Sequence, residues 1–157
     1  MNKGAAILLV EDDADDAYFV SRAVRAAGLD VPLEVANDGQ AAIDYLAAAV
    51  ERRERGDGAQ PCLILLDLNL PRKSGLEVLK WIRSAANWKT MIVIVLTSST
   101  SEADMNAAYS LGANSYLVKP SDATKLTELG QLLKGYWFGW NQMPPMCREV
   151  ATAHVGL

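Results

Sequence analysis

Apolar positions along the chain fall into two alternating patterns. Short runs recur at "AAILLV" (5–10), "LEVA" (33–36), "CLILLDL" (62–68), "MIVIVLT" (91–97) and "SYLV" (115–118). Each is too short for an ordinary helix, and most are rich in β-branched residues, so they predict five strands. Between them, good helix formers at helical spacing predict helices over roughly 14–27, 39–53, 75–84, 101–111 and 122–134. Strict alternation of this kind predicts an α/β architecture: a doubly wound, five-stranded parallel sheet with helices on both faces. Near-continuous apolar strands fit burial from both sides. In such sheets, functional residues collect beyond the carboxyl ends of the strands, next to the point where strand order reverses.

The strand ends carry the chemistry. The first strand runs into "EDDADD", with carboxylates at Glu11, Asp12, Asp13, Asp15 and Asp16. Crowded carboxylates raise one another's pKa, so such a cluster needs good solvation or a cation. Asp13, Asp15 and Asp16 have an ordinary use as helix starters, where acidic side chains complement the dipole and cap free N–H groups. The third apolar run ends in Asp67. An unpaired charge buried inside a strand is costly, so Asp67 is expected to emerge at the carboxyl edge. The fourth strand ends in Thr97, followed by Ser98 and Ser99, and the fifth is followed by Lys119 and Pro120. Carboxylate oxygens suit a hard divalent ion such as Mg²⁺. Zinc is disfavoured, because the only histidine is His154 in the tail.

Taken in order, the acidic pair after the first strand, "DLNLP", "LTSS" and "YLVKP" resemble the receiver domains of two-component response regulators. The likeness spans roughly residues 5–135. "ANDGQAAIDYL", "LDLNLPRKSGLEVL", "LTSSTSEAD" and "LGANSYLVKP", with the Trp-containing segment that follows, look more narrowly like stand-alone regulators paired with phytochromes. The resemblance implies a flavodoxin-like strand order 2-1-3-4-5 and a set of roles. Asp67 would accept a phosphoryl group from a phosphohistidine of a sensor histidine kinase, with a bacteriophytochrome as the narrower expectation. Glu11, Asp12, Asp67 and the backbone carbonyl of Asn69 would hold Mg²⁺. Lys119 would pair with Asp67 and later bind a phosphoryl oxygen, oriented by a cis peptide before Pro120. Thr97 would move toward the phosphoryl group and let Tyr116 rotate inward. Asn69, Ser98 and Ser99 would influence water access. Phosphotransfer and dephosphorylation would be self-catalysed, so the protein is expected to be a signalling acceptor and not an enzyme acting on other molecules.

Composition narrows the partners. The chain has 157 residues, half of them apolar, enough for one compact domain. We expect a receiver domain over 1–140 with an extended final helix, then a tail over 141–157, and no output domain. A net charge of −4 and scattered basic residues disfavour nucleic acid as a partner. The opening apolar stretch is too short for a signal peptide or membrane span, and Cys62 and Cys147 lie in no metal-spaced motif. Both thiols are expected unpaired in a cytoplasmic setting. Leu126, Leu129, Leu133, Tyr136, Trp137 and Trp140 follow helical spacing, with Phe138 on another face. Aromatic surface of this kind predicts a homodimer through the fourth helix, fifth strand and final helix, with Tyr136, Trp137, Phe138 and Trp140 in the contact. The downstream protein is left unidentified. Two rivals are a Mg²⁺-dependent hydrolase with Asp67 as nucleophile, which lacks an evident second acid and substrate cap, and a phosphorylation-independent interaction module.

Overall fold

The computed structural model of the chain describes residues 4–145 and 147. Strands β1 (Ala5–Val10), β2 (Leu33–Ala36), β3 (Gln60–Leu66), β4 (Ile92–Thr97) and β5 (Ser115–Val118) alternate with helices α1 (Ala14–Ala26), α2 (Gly39–Arg55), α3 (Gly75–Ser84), α4 (Glu102–Ser110) and α5 (Ala123–Leu132). The strands are parallel, in the expected order β2-β1-β3-β4-β5. The order reverses at β1 and β3: the chain leaves β1 for β2 on one side and returns to β3 on the other. That reversal opens a crevice beyond the carboxyl ends of β1 and β3.

Side chains on successive strand residues point to opposite faces, so each central strand feeds two cores. Ile7, Leu9, Leu63, Leu65 and Ile94 pack beneath Val20 and Val24 of α1 and Leu129 of α5. Leu8, Val10, Ile64, Leu66 and Val93 pack beneath Leu46 of α2 and Val78 and Ile82 of α3. Strands β1 and β4 are buried along their whole length and β3 nearly so, whereas the edge strands β2 and β5 are only partly covered. Each fully buried Leu or Ile contributes about 1.5–3 kcal/mol. Helix starts are set locally. Asp13, Asp38, Ser74, Ser101 and Asp122 cap α1 to α5 with their side chains, and Ser74 with Glu77 forms a reciprocal capping box.

The final helix departs from expectation in its winding. Beyond α5 the chain continues as a π-helix, Leu133–Trp140, ending with the Asn141 N–H donating to the Tyr136 carbonyl at 2.7 Å. Five-residue spacing puts Leu133 and Phe138 on one side, where α-helical spacing would separate them. Leu133 is fully buried, and Trp137 and Phe138 pack against the core shared by α1 and α5. Of the four aromatics expected to contribute to a contact with a second copy, Trp137 and Phe138 are half-buried against their own chain. Tyr136 and Trp140 stay exposed, at 48% and 86%. Within the expected tail, Met143 and Cys147 are buried in the same core. Residues 148–157, including His154, lie outside the described residues.

Candidate functional site

Glu11 and Asp12 follow directly on β1 and Asp67 on β3, so the strand-order reversal delivers all three to one crevice. One carboxylate oxygen from each lies within 4.8 Å of the others, and they form the acidic cluster capable of holding a cation among the described residues. The three differ in exposure. Glu11 and Asp67 are buried, while Asp12 is open to solvent. Hard oxygen donors with one solvent-facing side fit a hydrated divalent ion. Burial, reinforced by the charge of Asp67, pushes the Glu11 carboxyl up to about 7 against the opposing contact with Lys119.

A tight loop holds the acceptor candidate. The Asn69 N–H donates to the Asp67 carboxylate at 3.3 Å, and Asn69 itself is exposed. The Lys73 N–H turns back on the Pro71 carbonyl at 2.8 Å, and Arg72 between them has a φ of 68°. A non-glycine residue in that region carries strain, held here by the neighbouring turn and an ion pair with Asp38. Gly75 then starts α3 directly against this loop. A Cβ there would lie 2.1 Å from the Asp67 carbonyl oxygen, so only glycine lets the helix approach.

Lys119 closes the site from the end of β5. Its ammonium donates to Asp67 at 2.9 Å and to Asp16 at 3.0 Å, and contacts Glu11. Burial alone would lower its pKa. Hydrogen bonds to Glu11, Asp67 and Asp16, with the charge of Asp67, outweigh burial and raise it. The expected cis peptide before Pro120 is absent, as no cis bond occurs among the described residues. A trans bond is the ordinary preference even before proline, and Lys119 reaches its carboxylates without the isomer.

Thr97 is fully buried at the end of β4, and its carbonyl accepts from the Lys119 N–H at 2.8 Å. Its hydroxyl accepts from the Ser99 N–H at 3.4 Å, while the Ser99 hydroxyl donates to Asp104 at 2.5 Å. Tyr116 packs against Leu68, Val95 and Ala108, and its hydroxyl donates to the Ser99 carbonyl at 3.0 Å. Tyr116 thus touches both the residue after Asp67 and the loop after Thr97. Tyr136, Trp137, Phe138 and Trp140 belong to the chain's far end and not to this site.

Two residues of the site were not singled out by sequence reasoning. Gly75 read only as a helix start. Asp16 read as a helix starter, and its N–H does donate to the capping Asp13 at 2.9 Å, but its carboxylate reaches Lys119. One signal was available: Asp16 lies four residues before buried Val20 and so shares its inward stripe.

The chain is similar to known proteins over most of its length. The probable methanogenesis regulatory protein FilR2 of Methanothrix harundinacea is 41% identical over 138 residues, 88% of this chain and 86% of that one. Response regulator Rcp1 of Synechocystis is 36% identical over 143 residues, 91% of this chain and 95% of Rcp1. The crystal structure of its Mn(2+)-bound form superposes with a TM-score of 0.75, covering 89% of this chain and 99% of that one at 35% identity. The phosphorylated cyanobacterial phytochrome response regulator RcpA superposes with a TM-score of 0.77, covering 90% and 99% at 32% identity. Residues 7–131 match the response regulator receiver domain, and the chain belongs to that family.

Proposed function

We propose that the protein accepts a phosphoryl group on Asp67 from a phosphohistidine of a sensor histidine kinase. An Asp67 carboxylate oxygen forms the new bond to phosphorus, the N–P bond breaks, and its electron pair stays on the imidazole nitrogen. Glu11, Asp12, Asp67 and the Asn69 carbonyl would hold Mg²⁺, which would supply positive charge against the transferring group. Lys119 leaves Asp67 for a phosphoryl oxygen. Thr97 uses its hydroxyl only as an acceptor toward Ser99, so its O–H is left to donate to the same group. The later loss of the phosphoryl group to water is catalysed by the same residues.

The observation that carries this reading is the Lys119 ammonium seated on Asp67 inside the Glu11, Asp12 and Asp67 cluster. It offsets part of the negative charge around the acceptor before transfer and would be replaced on Asp67 by the incoming phosphoryl group. The kinase is proposed to be of the phytochrome class, from the likeness to RcpA. Signal output is proposed to pass from Asp67 through Leu68 and Tyr116 to the face of β5 and the final helix. There Val118, Leu132, Tyr136 and Trp140 leave apolar surface for a second copy of the chain. No helix among the described residues is long and apolar enough to cross a membrane, and we propose a cytoplasmic setting.

Incubation with acetyl phosphate and Mg²⁺, read by intact mass and peptide mapping, tests the assignment. One phosphoryl group is expected, on Asp67, and none in Asp67→Asn. Labelling of that variant at another residue would sink it.

A further inference from the structure

Cys62 is the third residue of β3, at the end of the sheet opposite Asp67, and Cys147 lies in the segment beyond the final helix. Both thiols are free, and each residue is only 1% exposed. They sit in one apolar core with Met143, and the Cys147 sulfur is 4.0 Å from the Cys62 carbonyl oxygen. The two thiols lie close enough to shift each other's pKa, that of Cys62 up and that of Cys147 down. The fold thus sets two free thiols beside each other across 85 positions of chain, the juxtaposition a disulfide requires.

We propose that Cys62 and Cys147 form an oxidation site at which a hydroperoxide converts the two thiols into an intramolecular disulfide, fastening the C-terminal segment to β3. The Cys147 thiolate attacks the peroxide oxygen, the O–O bond breaks, and an alcohol or water leaves with a proton. The Cys62 sulfur then attacks the resulting sulfenic acid, forming the S–S bond and releasing water. The thiols together lose two electrons and two protons, which reduce the peroxide.

The order of attack follows from the pair's asymmetry. Contact with the Cys62 thiol lowers the Cys147 pKa against the effect of burial, with the charge of Arg53 assisting. The same contact, with burial, raises that of Cys62. Oxidant reaches the pair by local opening, for which the segment is suited. Residues 141–144 pair with no strand, and of the described residues after Trp140 only Met143 and Cys147 are buried, so few contacts are lost when the segment lifts.

The test treats the full chain with graded hydrogen peroxide and then maps peptides without reductant. The expected result is loss of both titratable thiols, a mass lower by two hydrogens, a linked Cys62–Cys147 peptide, and full reversal by dithiothreitol. The unfolding midpoint should rise on oxidation in the wild type and stay put in Cys147→Ser. The linked peptide is read on the wild type, so the result holds even if Cys147→Ser folds poorly. Oxidation to sulfinic acid at one cysteine with the other still a thiol, or disulfides only between chains, would overturn the proposal. Neither outcome bears on phosphoryl transfer, because the pair lies at the other end of β3.

Discussion

Lys119 ties Asp16 on α1 to Asp67 at the end of β3, at 3.0 and 2.9 Å, across 103 positions of sequence in the first case. The Asp16 side chain is nearly half exposed, at 46%, whereas that of Asp67 is 7% exposed. A partly solvated ion pair contributes up to about 1 kcal/mol, roughly fivefold in an equilibrium. Asp16→Asn is therefore expected to fold, to remain phosphorylatable, and to change the labelling rate by about fivefold or less. Labelling time courses with acetyl phosphate check this, and complete loss of labelling in Asp16→Asn would give Asp16 a larger part than a tether.

Glu11 sets a pH dependence. Its carboxyl is raised from 4.5 to about 7 in the fold, so the folded chain binds the proton more tightly than the unfolded chain. Stability from this group is full below pH 4.5 and is lost as pH rises through about 7 in the metal-free protein. Mg²⁺ needs the ionised form, so its affinity should fall as pH drops below about 7. Calorimetric titrations on either side of that value read the effect. Glu11→Gln should flatten the stability profile and weaken the metal most above about pH 7, with the difference shrinking as pH falls. An unchanged Mg²⁺ affinity in that variant would remove Glu11 from the ligand set.

Gly75→Ala should damage both fold and site. The added Cβ meets backbone at 2.1 Å, and backbone cannot swing aside as a flexible side chain can. Overpacking of this kind typically costs about 1–3 kcal/mol. Urea unfolding should show a lower midpoint at an unchanged slope, and labelling at Asp67 should slow because the acceptor loop is displaced. Wild-type values in both measurements would mean that the α3 start has room to retreat.

The aromatics of the final segment should separate by role. Trp137 packs on the core and Trp140 is 86% exposed. Trp137→Ala is expected to lower stability by about 1–3 kcal/mol, less than the loss for a fully buried tryptophan. Trp140→Ala should leave stability within about 0.5 kcal/mol while weakening self-association. Sedimentation with and without phosphorylation measures the second effect. A wild-type chain that stays monomeric in both states would leave Tyr136 and Trp140 without a role in pairing copies.

The regular elements were legible wherever a signal is carried by neighbouring residues. Strands β1, β2 and β5 fall on their apolar runs residue for residue, and α3 begins at the Ser74–Glu77 capping box. The winding of the final helix was not legible. Gly135 and Gly139 weaken an α-helix, but the π-helical turn that points Phe138 beside Leu133 is set by the core waiting beneath them. Pro120 misled for a related reason. A proline permits either isomer, and the trans bond leaves Lys119 in reach of its partners only because of where β1 and β3 end.

By itself the sequence determined that Glu11, Asp12, Asp67, Thr97 and Lys119 stand at strand ends. Apolar runs stop at those positions, and a charge is costly inside a strand buried on both faces. Only the tertiary structure decided which groups meet. The parallel order β2-β1-β3-β4-β5 brings the ends of β1, β3 and β5 to one rim, and α1 crosses that rim with Asp16 turned inward. The same packing carries Cys147 back onto Cys62. Such contacts join residues from 52 to 103 positions apart, and they depend on the strand order and on the side of the sheet each helix covers, which no local pattern encodes.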